Sequence, residues 1–116
     1  MDNLVKTIKM LADRNRLRII KLLERRKMCV CELAHVIGIT QPSVSRHLKK
    51  LKEMRLVDSE QDGFWTNYYL KLKNTESKRI LALVCGYLER DAMCCGDSAR
   101  CERVDRRALC CKKGRV

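Results

Sequence analysis

Aromatic side chains are scarce in this chain: one phenylalanine, one tryptophan and three tyrosines make up 4% of the sequence. A core with so few rings is built from Leu, Ile and Val, which suits a helical domain. Long apolar runs are missing too. Residues 1–25 interleave Asp2, Lys6, Lys9, Asp13, Arg14, Arg16 and Arg18 with apolar positions, so neither the apolar stretch of a signal peptide nor a bilayer-crossing span is expected. A cytoplasmic protein with reduced thiols follows as the expectation. No glycine-rich phosphate loop, no His/Asp pair near a serine, no HExxH-like helix and no paired CxxC zinc ribbon occurs. The common sequence routes to an enzyme are therefore absent, and a non-enzyme is expected. At 116 residues the chain has the size of one domain, too short for a TIM barrel or a full doubly wound dehydrogenase.

What the chain does have is positive charge and sulfur. Lys and Arg number 26 against 14 Asp and Glu, a formal net charge of +12. That excess favours a polyanionic partner, either nucleic acid or an anionic membrane surface. Eight cysteines would suit a disulfide scaffold in a secreted protein. Clustered in a basic, helical, cytosolic chain, they point instead to soft-metal or metalloid binding, or to redox sensing.

Residues 1–27 read as two helices broken at Asp13, Arg14 and Asn15, with Leu4, Ile8 and Leu11 on one stripe and Leu17, Ile20 and Leu23 on the next. Cys31–Ile37 reads as a short helix that Gly38 stops. Thr40 is a good N-cap for a following helix over Gln41–Met54, in which Pro42 costs nothing in the first turn. That helix buries Val44, Leu48, Leu51 and Met54 and turns Ser43, Ser45, Arg46, Lys49 and Lys50 outward. Two short helices about a tight glycine turn, the second capped and basic, make a helix-turn-helix. Its expected DNA contacts are Gln41, Ser43, Ser45, Arg46 and Lys49. Leu56–Glu60, a turn at Gln61-Asp62-Gly63 and the aromatic-rich Phe64–Leu70 read as a β-hairpin. The fold class expected is therefore mainly α with a β-hairpin wing, a dimeric winged helix-turn-helix.

Asn74 or Thr75 caps a last regular helix running to about Asp91, with Ile80, Leu81, Val84, Tyr87 and Leu88 on its apolar face. Residues 1–91 form the DNA-binding and dimerisation domain in this reading. Residues 92–116 carry Cys94, Cys95, Cys101, Cys110 and Cys111 without a sustained apolar period, and read as an irregular, cysteine-rich tail that a ligand orders. Together the first helix and the last regular one carry more apolar surface than one small domain covers, which points to a homodimer.

Four segments carry a family resemblance: Leu17-Arg-Ile-Ile-Lys-Leu-Leu23, Cys29-Val-Cys-Glu-Leu-Ala34, Gln41-Pro-Ser-Val-Ser-Arg-His-Leu48 and Leu51-Lys-Glu-Met-Arg-Leu-Val57. In these the chain resembles the ArsR/SmtB family of metal-responsive transcriptional repressors, over about residues 3–90. The resemblance implies a homodimer that holds double-stranded operator DNA when metal-free and leaves it when a metal or metalloid binds, with As(III) or Sb(III) as inducer in the arsenic-sensing branch and no organic cofactor. That branch has a Cys-Val-Cys pair, here Cys29 and Cys31, followed three residues later by a third cysteine, where this chain has Ala34. A second arrangement in the family, two adjacent cysteines and a third after five residues, is matched by Cys94, Cys95 and Cys101. The family's zinc-sensing branch uses paired carboxylate and histidine ligands on the last helix, and residues 75–91 contain no histidine.

The chemistry of the donors agrees with the second arrangement, because trivalent arsenic prefers three thiolates in a trigonal pyramid over oxygen or imidazole. Cys94 and Cys95 share one ion only if the chain turns between them, which Gly96 eases. Arg90 and Arg100 favour their thiolates, whereas Asp91 and Asp97 oppose them. Cys29 and Cys31, completed by cysteines beyond residue 91, are the alternative site. Cys85 reads as a small buried hydrophobe, His35 as a locally packed side chain, His47 as a phosphate or side-chain neighbour, and Cys110 and Cys111 as spare thiols or secondary ligands. Alternatives on the same scaffold are a thiol redox or persulfide sensor and a Cd/Pb-type sensor. A soft-metal chaperone is the remaining one, though it has no use for a capped basic helix beside a wing.

Overall fold

The computed structural model describes residues 1–105 together with 108 and 109. Cys110 and Cys111 lie outside them. Helix α1 (Asp2–Leu11) and helix α2 (Arg14–Arg25) are separated only by Ala12 and Asp13. Asp13 starts α2: its carboxylate accepts the Arg16 N–H at 3.0 Å, which satisfies one of the donors a helix N-terminus leaves open. From α2, Ile19, Ile20, Leu22 and Leu23 enter the core, while Leu17 stays half-buried.

A two-residue strand that sequence periodicity did not indicate, β1 (Met28–Cys29), leads into α3 (Val30–Ile37). Gly38 ends α3 with φ +84°, the left-handed conformation that glycine adopts without strain. Thr40 Oγ1 then accepts the Ser43 N–H at 3.2 Å and opens α4 (Gln41–Glu53). Val44, Leu48 and Leu51 on α4 are fully buried. After α4, Arg55 takes φ +61°, and the Leu56 N–H reaches the Leu51 carbonyl at 3.0 Å, the closure usually given to glycine.

Strands β2 (Val57–Asp62) and β3 (Trp65–Leu70) form the expected hairpin, with β1 on the other side of β3. Asp62 pairs with Trp65, so the turn residues are Gly63 and Phe64, one position later than Gln61-Asp62-Gly63. Helix α5 (Thr75–Leu88) follows, capped by the Asn74 side chain on the Ser77 N–H at 2.7 Å.

The irregular course expected beyond Asp91 is corrected over residues 92–103. These form α6 (Ala92–Arg103), started by Asp91 accepting the Cys94 N–H at 3.1 Å and packed on α2 and α3. Its inner face is Cys94, Asp97 and Cys101, all buried. Spaced three and four residues apart they fall on one side of a helix, but with an aspartate at the centre they do not read as an apolar stripe. A second correction concerns the surface expected to pair two chains. Leu11 and Leu81 belong to the chain's own core. The outward apolar residues are Leu4, Val5 and Ile8 on α1 and Leu83 and Tyr87 on α5, the last 85% exposed.

The Asp13 cap has a consequence for pH. Burial alone would raise its carboxyl, but the Arg16 N–H and guanidinium, with His47 nearby, outweigh it and hold the group below its ordinary value. A carboxyl depressed in the folded state contributes stability above its unfolded pKa, and that contribution is lost as pH falls through the folded pKa. Urea unfolding between about pH 7 and about pH 2 should therefore show a loss of stability below the ordinary carboxylate range. Asp13→Asn should flatten part of that loss; parallel curves for the two proteins would exclude the cap as a contributor.

Candidate nucleic-acid interface and thiol cluster

Burial of Val44, Leu48 and Leu51 fixes the rotation of α4 and leaves Ser45, Arg46, Lys49 and Lys50 exposed. Gln41 and Ser43 are half-buried at its N-terminal end. Arg46 is pre-oriented: its Nη2 donates to Ser43 Oγ at 3.1 Å, and the same oxygen accepts from Thr40 Oγ1 at 2.9 Å. All five residues expected to meet DNA thus lie along one helix. No carboxylate occurs on α4 before Glu53.

His47 turns the other way. It is half-buried, and burial chiefly pushes its pKa down, with Asp13 opposing and Arg16, Lys50 and Arg46 assisting. It is therefore a neutral neighbour of the α2 cap at neutral pH. The wing presents Phe64, 94% exposed, packed edge-on against Trp65 at 6.5 Å. Lys52 ties the end of α4 to the wing through Ser59 Oγ at 2.9 Å.

The cysteines fall into separate settings. Cys29 and Cys31 flank the start of α3 with their Sγ atoms 3.1 Å apart, and both are buried. Glu32 accepts the Cys29 N–H at 3.0 Å and pairs with Arg26 at 3.1 Å, so this corner is firmly held. Cys101 Sγ approaches Met28 Sδ at 3.8 Å, on the strand that leads to Cys29.

Cys94 and Cys95 both lie in the first turn of α6, with no chain turn between them. About 100° separates neighbours around a helix, so Cys94 faces the core while Cys95 is exposed, its Sγ 3.5 Å from the Glu89 carbonyl. Cys101 is two helical turns on, roughly 10 Å along the axis. The three are on one helix and do not converge on a point. Among the described residues no three His, Cys, Asp or Glu side chains are arranged to hold a metal ion.

The acid side prevails in the electrostatics around Cys94. Burial, then Asp91 and Asp97, push its thiol up to about 11 against the opposing Arg18. Cys85 is pushed up to about 11 as well, by burial and then Glu24. It is the small buried hydrophobe its position on α5 suggested. An open cleft lined by Lys21, Glu24, Glu89, Cys94, Cys95 and Glu102 gives solvent a route to the first turn of α6. His35 is exposed on α3.

Sequence reasoning treated Asp97 only as a charge near the thiols. It is instead a buried carboxylate, 1% exposed, gripped by Arg18 and Arg100. The three-residue spacing of Asp97 and Arg100 was visible on a helix. The partnership with Arg18, across most of the chain, was not.

Comparison with known proteins agrees with this construction. The model of the arsR family of bacterial regulatory proteins matches residues 13–59, from the Asp13 cap through α4 into β2. The arsenical resistance operon repressor of Bacillus subtilis is 35% identical over 89 residues, which cover 75% of this chain and 85% of that protein. A cadmium resistance transcriptional regulatory protein of Listeria innocua is 39% identical over 64 residues, covering 54% of each, so the match spans about half the length of that relative. The solution structure of a homodimeric winged helix-turn-helix DNA-binding domain from Mycobacterium bovis superposes with a TM-score of 0.64 at 27% identity, covering 76% of this chain and 80% of that one. On its fold, its helix-turn-helix and these relatives, the chain belongs to the arsR family of bacterial regulatory proteins.

Proposed function

We propose that this chain is an arsenite- or antimonite-responsive transcriptional repressor, which holds operator DNA as a homodimer when metalloid-free and releases it when As(III) is bound by Cys94, Cys95 and Cys101. The observation that carries the proposal is the position of α6: the helix bearing all three cysteines packs directly on α2 and α3, the scaffold of the DNA-reading helix. Relatives support the class of inducer, since one is named for arsenical resistance and another for cadmium resistance.

Three thiols suit a soft trivalent centre, but on an intact α6 they are too far apart to share one. Binding therefore requires residues 95–101 to leave the helix. The exchange needs no oxidant: three S–H bonds and the three As–OH bonds of As(OH)3 are replaced by three As–S bonds and three waters. Each thiol proton leaves as part of a water molecule, so a thiol as weakly acidic as that of Cys94 still takes part. Weak acidity disfavours a redox sensor at Cys94 and Cys85, because oxidant-sensing thiols are generally low-pKa and exposed. A second reading takes Cys29 and Cys31, whose Sγ atoms lie 3.1 Å apart, as ligands, and requires that the disulfide in which Cys31 stands first be reduced. There the site sits at the start of α3, completed by cysteines beyond residue 91.

Three outcomes test the proposal. Arg46→Ala should weaken operator binding by about 1–3 kcal/mol, read by anisotropy of a labelled operator duplex. Binding of the parent should also fall steeply with salt, as phosphate neutralisation requires. An unchanged affinity would remove Arg46 from the interface. Val84→Glu, on the half-buried flank of the exposed α5 face, should dissociate the dimer in sedimentation and weaken operator binding with it. A variant that stays dimeric would move the subunit interface elsewhere.

For the inducer, Cys95→Ser is the cleanest change because Cys95 is exposed. It and Cys101→Ser should keep operator binding and abolish release by arsenite, whereas the Cys29→Ser/Cys31→Ser double variant should still respond. The reverse pattern would place the site at the Cys-Val-Cys corner. Release by thiol oxidants but not by arsenite would favour the redox alternative.

A further inference from the structure

A helix leaves its last carbonyls without partners from its own backbone. At the end of α3, Gly38 and Ile39 both direct their N–H groups to the Ala34 carbonyl, at 2.8 and 3.3 Å. The carbonyls of Val36 and Ile37, next to the turn into α4, are met from outside. Arg100 Nε on α6 donates to the Val36 oxygen at 2.9 Å, and Arg18 Nη2 on α2 donates to the Ile37 oxygen at 3.1 Å. Cations are also the charges that the C-terminal end of a helix favours.

Both guanidiniums are aimed by one carboxylate. Arg18 binds Asp97 through two parallel bonds, Nε to Oδ2 and Nη2 to Oδ1, each 2.8 Å, and Arg100 Nη2 reaches Oδ1 at 2.6 Å. Fork-on-carboxylate pairing of this kind fixes the plane of the guanidinium as well as its distance. Asp97 stands on α6 between Cys95 and Cys101.

We propose that Asp97 is the positioning residue through which α6 controls DNA binding: it holds Arg18 and Arg100 on the end of α3, and so fixes the α3–α4 turn that presents the reading helix. While α6 is helical, the turn is capped from both sides. When the segment from Cys95 to Cys101 leaves the helix, Asp97 is withdrawn, the two arginines lose their aim, and the Val36 and Ile37 carbonyls lose their donors. This second half rests on the metalloid reading given above; the cap itself does not. Linkage then requires that the clamp oppose metalloid binding as much as metalloid binding opposes the clamp.

The test uses the full-length protein and a labelled operator duplex, with and without saturating arsenite. Asp97→Asn keeps shape and removes charge. Without arsenite it should bind the operator roughly 2- to 30-fold more weakly than the parent, and the Gly38 and Ile39 amides should exchange faster with deuterium. With arsenite the two proteins should bind the operator alike, because the clamp is open in both. Arg100→Gln is the second variant, chosen because its side chain is 46% exposed and its loss leaves the Arg18–Asp97 pair intact. It should show a smaller loss in the same direction. Parental affinity in both variants without arsenite, or an equal loss with and without arsenite in Asp97→Asn, would overturn the proposal. The arsenite-free measurements decide the cap by themselves. Absence of arsenite release in the parent, or its survival in Cys95→Ser, would fail the metalloid reading and with it the proposed opening of the clamp.

Discussion

Burial of Val44, Leu48 and Leu51 is the constraint on which the rest of this molecule depends. Three residues locked into a core at helical spacing leave α4 no freedom to rotate, since turning it would expose them and bury Arg46, Lys49 or Lys50 without partners. The helix is thus held by apolar contacts made on the side away from its exposed cations. Its two ends are fixed separately, by the Thr40 cap and by the left-handed closure at Arg55. The wing follows from the same anchoring, because β2 leaves the end of α4 within two residues of that closure.

Charge is handled differently inside and outside. Among the described residues most Lys and Arg side chains are exposed, where cations repel one another until a polyanion arrives. The buried charges are paired: Arg18 with Asp97, Lys21 with Glu24 and Glu89, Glu32 with Arg26. Apart from Lys21–Glu24, which lies within α2, each ties α2 or its C-cap to a neighbour, reaching α6 at Asp97, the end of α5 at Glu89 and α3 at Glu32. Lys21 illustrates the balance, as burial would lower its pKa but the two glutamates raise it beyond the ordinary value. Breaking such a pair leaves a charge in a poorly solvated place, so the pairs fix geometry more than they add stability.

Sulfur stands in three settings that the fold separates. Cys85 and Cys101 pack as apolar groups in the core, Cys29 and Cys31 lie face to face at a rigid corner, and Cys95 opens onto solvent. On the proposed reading, a soft ion that takes thiols from positions two helical turns apart pulls against helix α6, its Asp91 cap and its buried aspartate. That opposition allows an ion to change the shape of a protein: a site already assembled would bind more tightly and move nothing.

Local chemistry made much of this legible. The Thr40 cap, the Gly38 stop, the Val44-Leu48-Leu51 stripe and the hairpin are all encoded within a few residues, and each was readable because its partners are near in sequence. Strand β1 was hidden, since two residues have no period and Met28 and Cys29 become a strand only by pairing with Tyr68 and Asn67. Helix α6 was hidden because its inner face is cysteine and aspartate, and an aspartate reads as surface until an arginine from another helix meets it. Which of the apolar residues on α1 and α5 face inward was equally a tertiary decision: Leu11 and Leu81 lie in the core, while Ile8 and Leu83 are exposed. Sequence therefore determined helices α1 to α5, the turn and the cation-bearing face. Only the folded chain decided where α6 lies, because a buried carboxylate is stable solely where two guanidiniums from separate helices converge on it.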